Sequence, residues 1–277
     1  MPTRDLKLAK ESYNARDAEG SIRAHTISGA RLHAAETHSR AGGHIKSIVY
    51  GGLDGIITTF AVVAGAAGGG FGSEVVIVMG VSSLLADALS MGVGDALSSK
   101  AEQEVARREQ AREAWELENY KEGEVQEMVE IYEGRGMSRD DAELVIGTMA
   151  KYDSLFVNMM VVDELGLSPP DADHAPWKDG AITFASFCFF GIFPLAAYCA
   201  FGASGALDAP ALLGVSIALT AAMLFVLGAI KSTMTTRSWW ASGLEVLAVG
   251  AAVASIAYLV GWGIEELIFA SSHEVVE

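Results

Sequence analysis

Only two cysteines occur in 277 residues, which leaves no material for a disulfide framework or a cysteine-built zinc centre. Cys188 and Cys199 fall in one apolar run, where eleven residues of helix would hold them roughly 16 Å apart, too far to bridge. Basic residues are scarce too: 19 Lys and Arg stand against 35 Asp and Glu, for a net charge of -16, and no nucleic-acid partner is expected. No G-x-x-x-x-G-K-[ST] loop occurs, which argues against an ATP-driven pump. None of His25, His33, His38, His44, His174 or His273 has a Glu three residues before it. The Glu-x-x-His pairs of a di-iron ferroxidase are therefore missing.

What is abundant is apolar sequence in blocks. The composition is 51% hydrophobic with a mean hydropathy of +0.32, so apolar and charged residues must be segregated along the chain. Residues 47–69, 75–98, 180–203, 210–230 and 241–263 each approach the roughly 20 residues that cross a bilayer core as helix. The first 46 residues are polar, with no apolar core of signal-peptide type, so no cleaved leader is expected and the first span is the expected insertion signal. An interfacial amphipathic helix is expected between about Glu19 and Arg40.

The basic residues orient this array. Eight precede the first span, nine lie between Lys100 and Lys178, and two, Lys231 and Arg237, separate spans four and five. By the positive-inside rule the N-terminus, the 100–178 insert and the 231–240 loop face the cytosol, and the C-terminus faces the lumen or exterior. The expected fold is an all-α membrane protein of five transmembrane helices, with a cytosolic helical metal-binding domain inserted between helices 2 and 3. Its divisions are a cytosolic segment at 1–46, spans one and two at 47–99, the insert at 100–178, spans three to five at 179–268, and a luminal tail at 269–277. Gly51, Gly52 and Gly55 in span one, and Ala88 and Gly92 in span two, put small residues where helix backbones, or a second subunit, can approach closely.

From Lys100 to about Glu133 strong helix formers continue from span two without a break, so a long helix projects into the cytosol, ended by Arg135-Gly136. Ser138 and Asp141 have capping-box spacing for a second helix running to Lys151. A third is predicted from Asp153 to Leu165, and Ser168-Pro169-Pro170 to Trp177 reads as a linker returning to the membrane.

Carboxylates within spans cost about 2.5–3.5 kcal/mol on insertion scales, so each is a functional candidate: Asp54, Asp87, Asp95 and Glu245. Asp87, Met91 and Asp95 recur every four residues and so form one helical stripe, with Ser83 and Ser98 near it. Carboxylate oxygen suits hard cations, and a thioether beside it shifts preference toward softer first-row ions such as ferrous iron. Asp95 and Glu245 lie near span ends, where reaching water is the simpler explanation. Glu113, Glu116, Glu124 and Glu127 follow E-x2-E-x7-E-x2-E spacing. At about 100° per residue they share an arc of roughly 80°, and Met160 and Glu164 could join that face if the helices fold back. Like charges on one stripe invite a multivalent cation, although a solvated helix face eased by Arg107, Arg108 and Arg112 would look the same.

The stretches Tyr50-Gly51-Gly52-Leu53-Asp54-Gly55, Ala88-Leu89-Ser90-Met91-Gly92-Val93-Gly94 with Ser99-Lys100-Ala101-Glu102, and Gly228-Ala229-Ile230-Lys231-Ser232 with Ser242-Gly243-Leu244-Glu245 resemble the vacuolar iron transporter family over roughly residues 44–263. The resemblance implies a homodimer of five-span subunits in a vacuolar membrane, or in the plasma membrane of a prokaryote. It implies export of cytosolic Fe2+ in exchange for protons, through a path at the dimer interface lined by spans one and two. Asp54 and Met91 match the family's transport path. Glu113, Glu116, Glu124, Glu127, Met160 and Glu164 match its cytosolic metal-binding domain, which plant nodulin-like relatives lack. Where the family has a glutamate eight residues before the span-two methionine, this chain has Ser83, and Asp87, one turn later, is the candidate replacement. The expectation is a transporter and not an enzyme, with Fe2+ as substrate and no prosthetic group. Alternatives are an uncoupled cation channel, a broader manganese, zinc or cobalt transporter, and, further off, a membrane-anchored ferroxidase.

Overall fold

A computed structural model describes residues 11–12, 15–20, 41–171, 175–202 and 206–274. The chain divides into two units, Met1–Gly42 and Gly43–Glu277. In the first, the Asp17 amide donates to the Ser12 carbonyl, 2.9 Å. Beyond Gly20 the expected interfacial helix lies outside the described residues.

The second unit is helical, with no strand among the described residues. Helix α1 spans Ala41–Gly68 and α2 Ser73–Gly134; α3, Arg139–Met149, and α4, Asp153–Asp163, follow. Next come α5, Pro176–Gly191, α6, Phe193–Phe201, and α7, Ala209–Lys231; a single 3-10 turn leads to α8, Trp239–Glu274. Four of these, α1, α2, α7 and α8, are long and apolar enough to cross a membrane, and α5 with α6, bent by 49° to each other, makes a fifth if the pair is counted as one span. The chain is a multi-pass membrane protein.

The expected uninterrupted third span is broken at Ile192. Pro194 has no amide hydrogen and cannot continue the ladder, so the Leu195 amide donates instead to the Ile192 carbonyl, 3.1 Å. The buried Ser216 hydroxyl of α7 donates to Pro194's own carbonyl, 2.6 Å, and ties the break to α7. The two cysteines thus sit on separate helical pieces, and both are free thiols. α8 also differs from expectation, remaining helical through Glu274.

Close approach of helices rests on small residues. A Cβ on Gly55 would stand 2.5 Å from the Phe187 carbonyl oxygen of α5, and one on Gly92 would stand 2.8 Å from that of Gly180. With these contacts α5 packs against both α1 and α2, and Phe60, Val63, Leu84, Ala88, Phe187 and Leu195 close an apolar core. A separate core lies further along the chain, where Leu117, Met128, Val129, Ala142, Ile146, Phe156 and Met160 bring the end of α2 against α3 and α4. α3 and α4 begin where the sequence predicts, and each ends two residues before the expected Lys151 and Leu165. The Ser138 hydroxyl accepts from the Asp141 amide, 3.2 Å, and Gly136 takes φ +101 after α2, a region open to glycine. The Tyr132 hydroxyl donates to Asp163, 2.9 Å, and Arg135 pairs with the same carboxylate, holding the end of α4 to α2.

The 62 residues of α2 would measure about 93 Å if straight, some three times the roughly 30 Å hydrocarbon core. Its charged half therefore extends beyond the bilayer. It is not straight: Tyr120, at φ -147 and ψ 53, interrupts it. A Cβ on Gly123 would collide with the Tyr120 ring, so glycine there admits the ring beside the turn.

Candidate functional site

The span-two stripe takes its character from the faces on either side. Leu84, Ala88 and Gly92 are buried, Leu85, Leu89 and Val93 point outward and exposed, and Asp87, Met91 and Asp95 are half-buried between them. The periodicity of α2 thus runs two carboxylates and a thioether along the edge of the packed bundle. Asp54, half-buried on α1, lies near enough to Asp87 for their charges to interact. The Ser83 hydroxyl, where a longer acid was expected from the resemblance, donates to the Asp87 carboxylate, 2.9 Å.

Met91 and Asp95 open into a cavity of about 500 Å³ between α1, α2 and α5, lined also by Lys46, Tyr50, Asp179 and Thr183. Asp95 is held there by the buried Thr183 hydroxyl, which donates at 2.6 Å, and Ser99 donates to Asp179 at 3.4 Å. Sequence spacing could not pair Thr183 with a residue 88 positions away. Glu245 has a different setting, with Arg237 of the turn before α8 at 3.0 Å and Lys231, the last residue of α7, at 3.6 Å.

The second constellation forms because α2 is interrupted. Eleven residues of straight helix would separate Glu113 from Glu124 by roughly 16 Å. Across the Tyr120 turn, one oxygen each of Glu113, Glu116 and Glu124 lies within 4.8 Å of the others. The four glutamates do not ride one stripe of a straight helix; the turn brings Glu124 of the second E-x2-E pair to both members of the first. Glu113 is fully buried and Glu124 nearly so. Glu127 is exposed at the margin, and Met160 is fully buried one turn before the half-buried Glu164.

The electrostatics are those of crowded like charges. Burial, then the charges of Glu113, Glu127 and Glu124, pushes the Glu164 carboxyl up to about 7. Burial and the neighbouring Glu113, Glu116 and Glu127 raise Glu124 as well. Arg112 opposes this, with Nη2 2.8 Å from Glu113, Nη1 3.0 Å from Glu109 and Nε 3.6 Å from Glu116. Two buried oxygens, Oε2 of Glu113 and Oε2 of Glu164, have no hydrogen-bond partner. Ionised carboxylates only accept, and stranding them in the protein is costly. Two oxygens that share a cation at 2.0–2.6 Å can be no more than about 5 Å apart, so the grouping has chelating dimensions.

Comparison with known sequences decides the family. The VIT family matches residues 45–262. The chain belongs to the VIT family. A Toxoplasma gondii relative named vacuolar iron transporter is 38% identical over 93% of this chain and 88% of its own length. One of the same name from Plasmodium falciparum is 33% identical over 91% and 94%, and vacuolar iron transporter 1 of Arabidopsis thaliana is 30% identical over 82% and 88%. The VIT match takes in all the helices from α2 to α7, including both the membrane stripe and the carboxylate cluster. With relatives named as transporters, this VIT chain stands as a non-enzyme.

Proposed function

We propose that this chain carries ferrous iron out of the cytosol into a vacuole-type lumen in exchange for protons. In this reading it works as a homodimer whose path runs along Asp54, Asp87 and Met91, with Asp95 at its cytosolic mouth. The observation that carries the reading is the placement of a membrane carboxylate pair and a thioether on the helix that continues outward into the carboxylate cluster. Glu113, Glu116, Glu124, Glu127 and Glu164 gather the ion from the cytosol, with Met160 beneath them. Asp54, Asp87 and Met91 replace part of its hydration inside the bilayer. Protonation of the membrane carboxylates from an acidic lumen then releases it. The basic residues support this orientation, since the 100–178 insert carries nine of them and positive loops stay cytosolic.

The stripe's position supports a dimer. Asp87, Met91 and Asp95 border an outward apolar face of Leu85, Leu89 and Val93, so a second copy across that face encloses the stripe and keeps lipid from it. A wider range covering manganese, zinc and cobalt is the second reading, favoured by a donor set dominated by carboxylate oxygen, which separates these ions weakly. The test is Fe2+ uptake into proteoliposomes with an acidic interior. Uptake that stops when the gradient is collapsed supports exchange with protons. Uptake indifferent to the gradient refutes that coupling, and uptake suppressed equally by excess Mn2+, Zn2+ or Co2+ favours the wider range.

A further inference from the structure

The carboxylate cluster already holds one cation of its own. Arg112 stands on α2 immediately before Glu113, and its guanidinium meets Glu113 and Glu116, two of the three residues whose oxygens converge within 4.8 Å. Its third partner, Glu109 at 3.0 Å, is not one of the converging three. The arginine side chain is half-exposed while Glu113 is fully buried, so the guanidinium reaches in from the solvent side. Its charge is also felt at Glu124 and Glu164. Yet it leaves Glu113 Oε2 and Glu164 Oε2 without partners. A planar, always-charged fork of donors suits a carboxylate pair, but one positive charge among five carboxylates leaves the cluster strongly negative.

We propose that Arg112 is a tethered counter-cation that sets the affinity of the cluster: it neutralises Glu113 and Glu116 while the site is free, and keeps only its Glu109 contact when a divalent ion takes those oxygens. This rests on the reading of the cluster as a metal site. Each ion that binds must displace or repel the guanidinium, so the arginine weakens binding and eases release toward the membrane path. A half-exposed ion pair that salt and water screen is a weak competitor. Removing the competitor therefore tightens binding on the order of three- to tenfold.

The experiment is Co2+ titration by calorimetry on the full-length protein in detergent at pH 7.5, with thermal unfolding recorded for each variant. Arg112→Gln is expected to bind Co2+ about three- to tenfold more tightly than wild type and to melt lower without metal, because the carboxylates then repel unopposed. Arg112→Lys keeps the competing charge and is expected to stay within about twofold of wild type. Glu113→Gln is expected to lose most binding. An arginine that merely supported the fold would give weaker Co2+ binding in Arg112→Gln, and that result, or unchanged affinity, overturns the inference while Glu113-dependent binding keeps the metal site standing. A wild-type protein whose Co2+ binding ignores Glu113→Gln overturns the site and the inference together.

Discussion

Replacing Glu164 by Gln should stabilise the metal-free protein at neutral and alkaline pH, the opposite of what loss of a buried side chain usually does. Glu164 is pushed from an ordinary 4.5 to about 7 by burial and by Glu113, Glu127 and Glu124. Between those values the folded chain keeps a proton that the unfolded chain has released. The favourable state is therefore complete below pH 4.5 and is lost as the pH rises through 7. At about 1.4 kcal/mol per pH unit the full rise corresponds to about 3 kcal/mol, and solvent screening of a partly exposed group lowers this to roughly 1–2 kcal/mol. Glutamine mimics the protonated acid at every pH. In chelator-treated protein, Glu164→Gln should raise the melting temperature by a few degrees at pH 8 and leave it nearly unchanged at pH 5. Equal gains at both pH values, or a loss at pH 8, would refute the crowded-carboxylate argument.

Other consequences are structural. Gly55→Val would force α1 away from the Phe187 backbone of α5, where even a Cβ stands 2.5 Å from the carbonyl oxygen. Overpacking of this kind costs about 1–3 kcal/mol, visible as a lower melting temperature and a poorly monodisperse gel-filtration profile. Thr183→Val removes the 2.6 Å donor to Asp95 and should alter the KM for Fe2+ transport with little change in melting, while Thr183→Ser restores it. Phe156→Ala, at a fully buried position of the second core, should cost about 3–5 kcal/mol. Limited proteolysis should then cut first between 100 and 175, with the membrane helices intact.

The membrane array could be read from hydropathy because lipid demands long apolar helices, and the ends of α2 and α3 because Gly136 and Ser138 carry unambiguous local chemistry. Pro194 was visible in its run as well, but how far it bends the helix depends on what packs against the break, such as Ser216 bonding the Pro194 carbonyl, which is tertiary information. The Tyr120 turn had only Gly123 to announce it, and helix periodicity continued across it, so the spacing implied one stripe where the chain makes a doubled-back cluster. Glu109, Arg112 and Glu116 have the i, i+3 and i, i+4 spacing of local ion pairs. That the guanidinium competes for converging oxygens emerged only once Glu124 was brought beside them. Thr183 against Asp95 and Asp54 against Asp87 are pairings between helices, and no pattern within one helix encodes them.

The most direct test of the transport reading is Fe2+ uptake into acid-loaded proteoliposomes by wild type, Asp54→Asn, Met91→Ala and the Glu113→Ala/Glu116→Ala double variant, all checked for equal incorporation. The account predicts that Asp54→Asn abolishes uptake, Met91→Ala reduces it severely, and the double variant raises the Fe2+ concentration needed for half-maximal rate while saturating flux survives. Undiminished uptake by Asp54→Asn and Met91→Ala would contradict the assigned path.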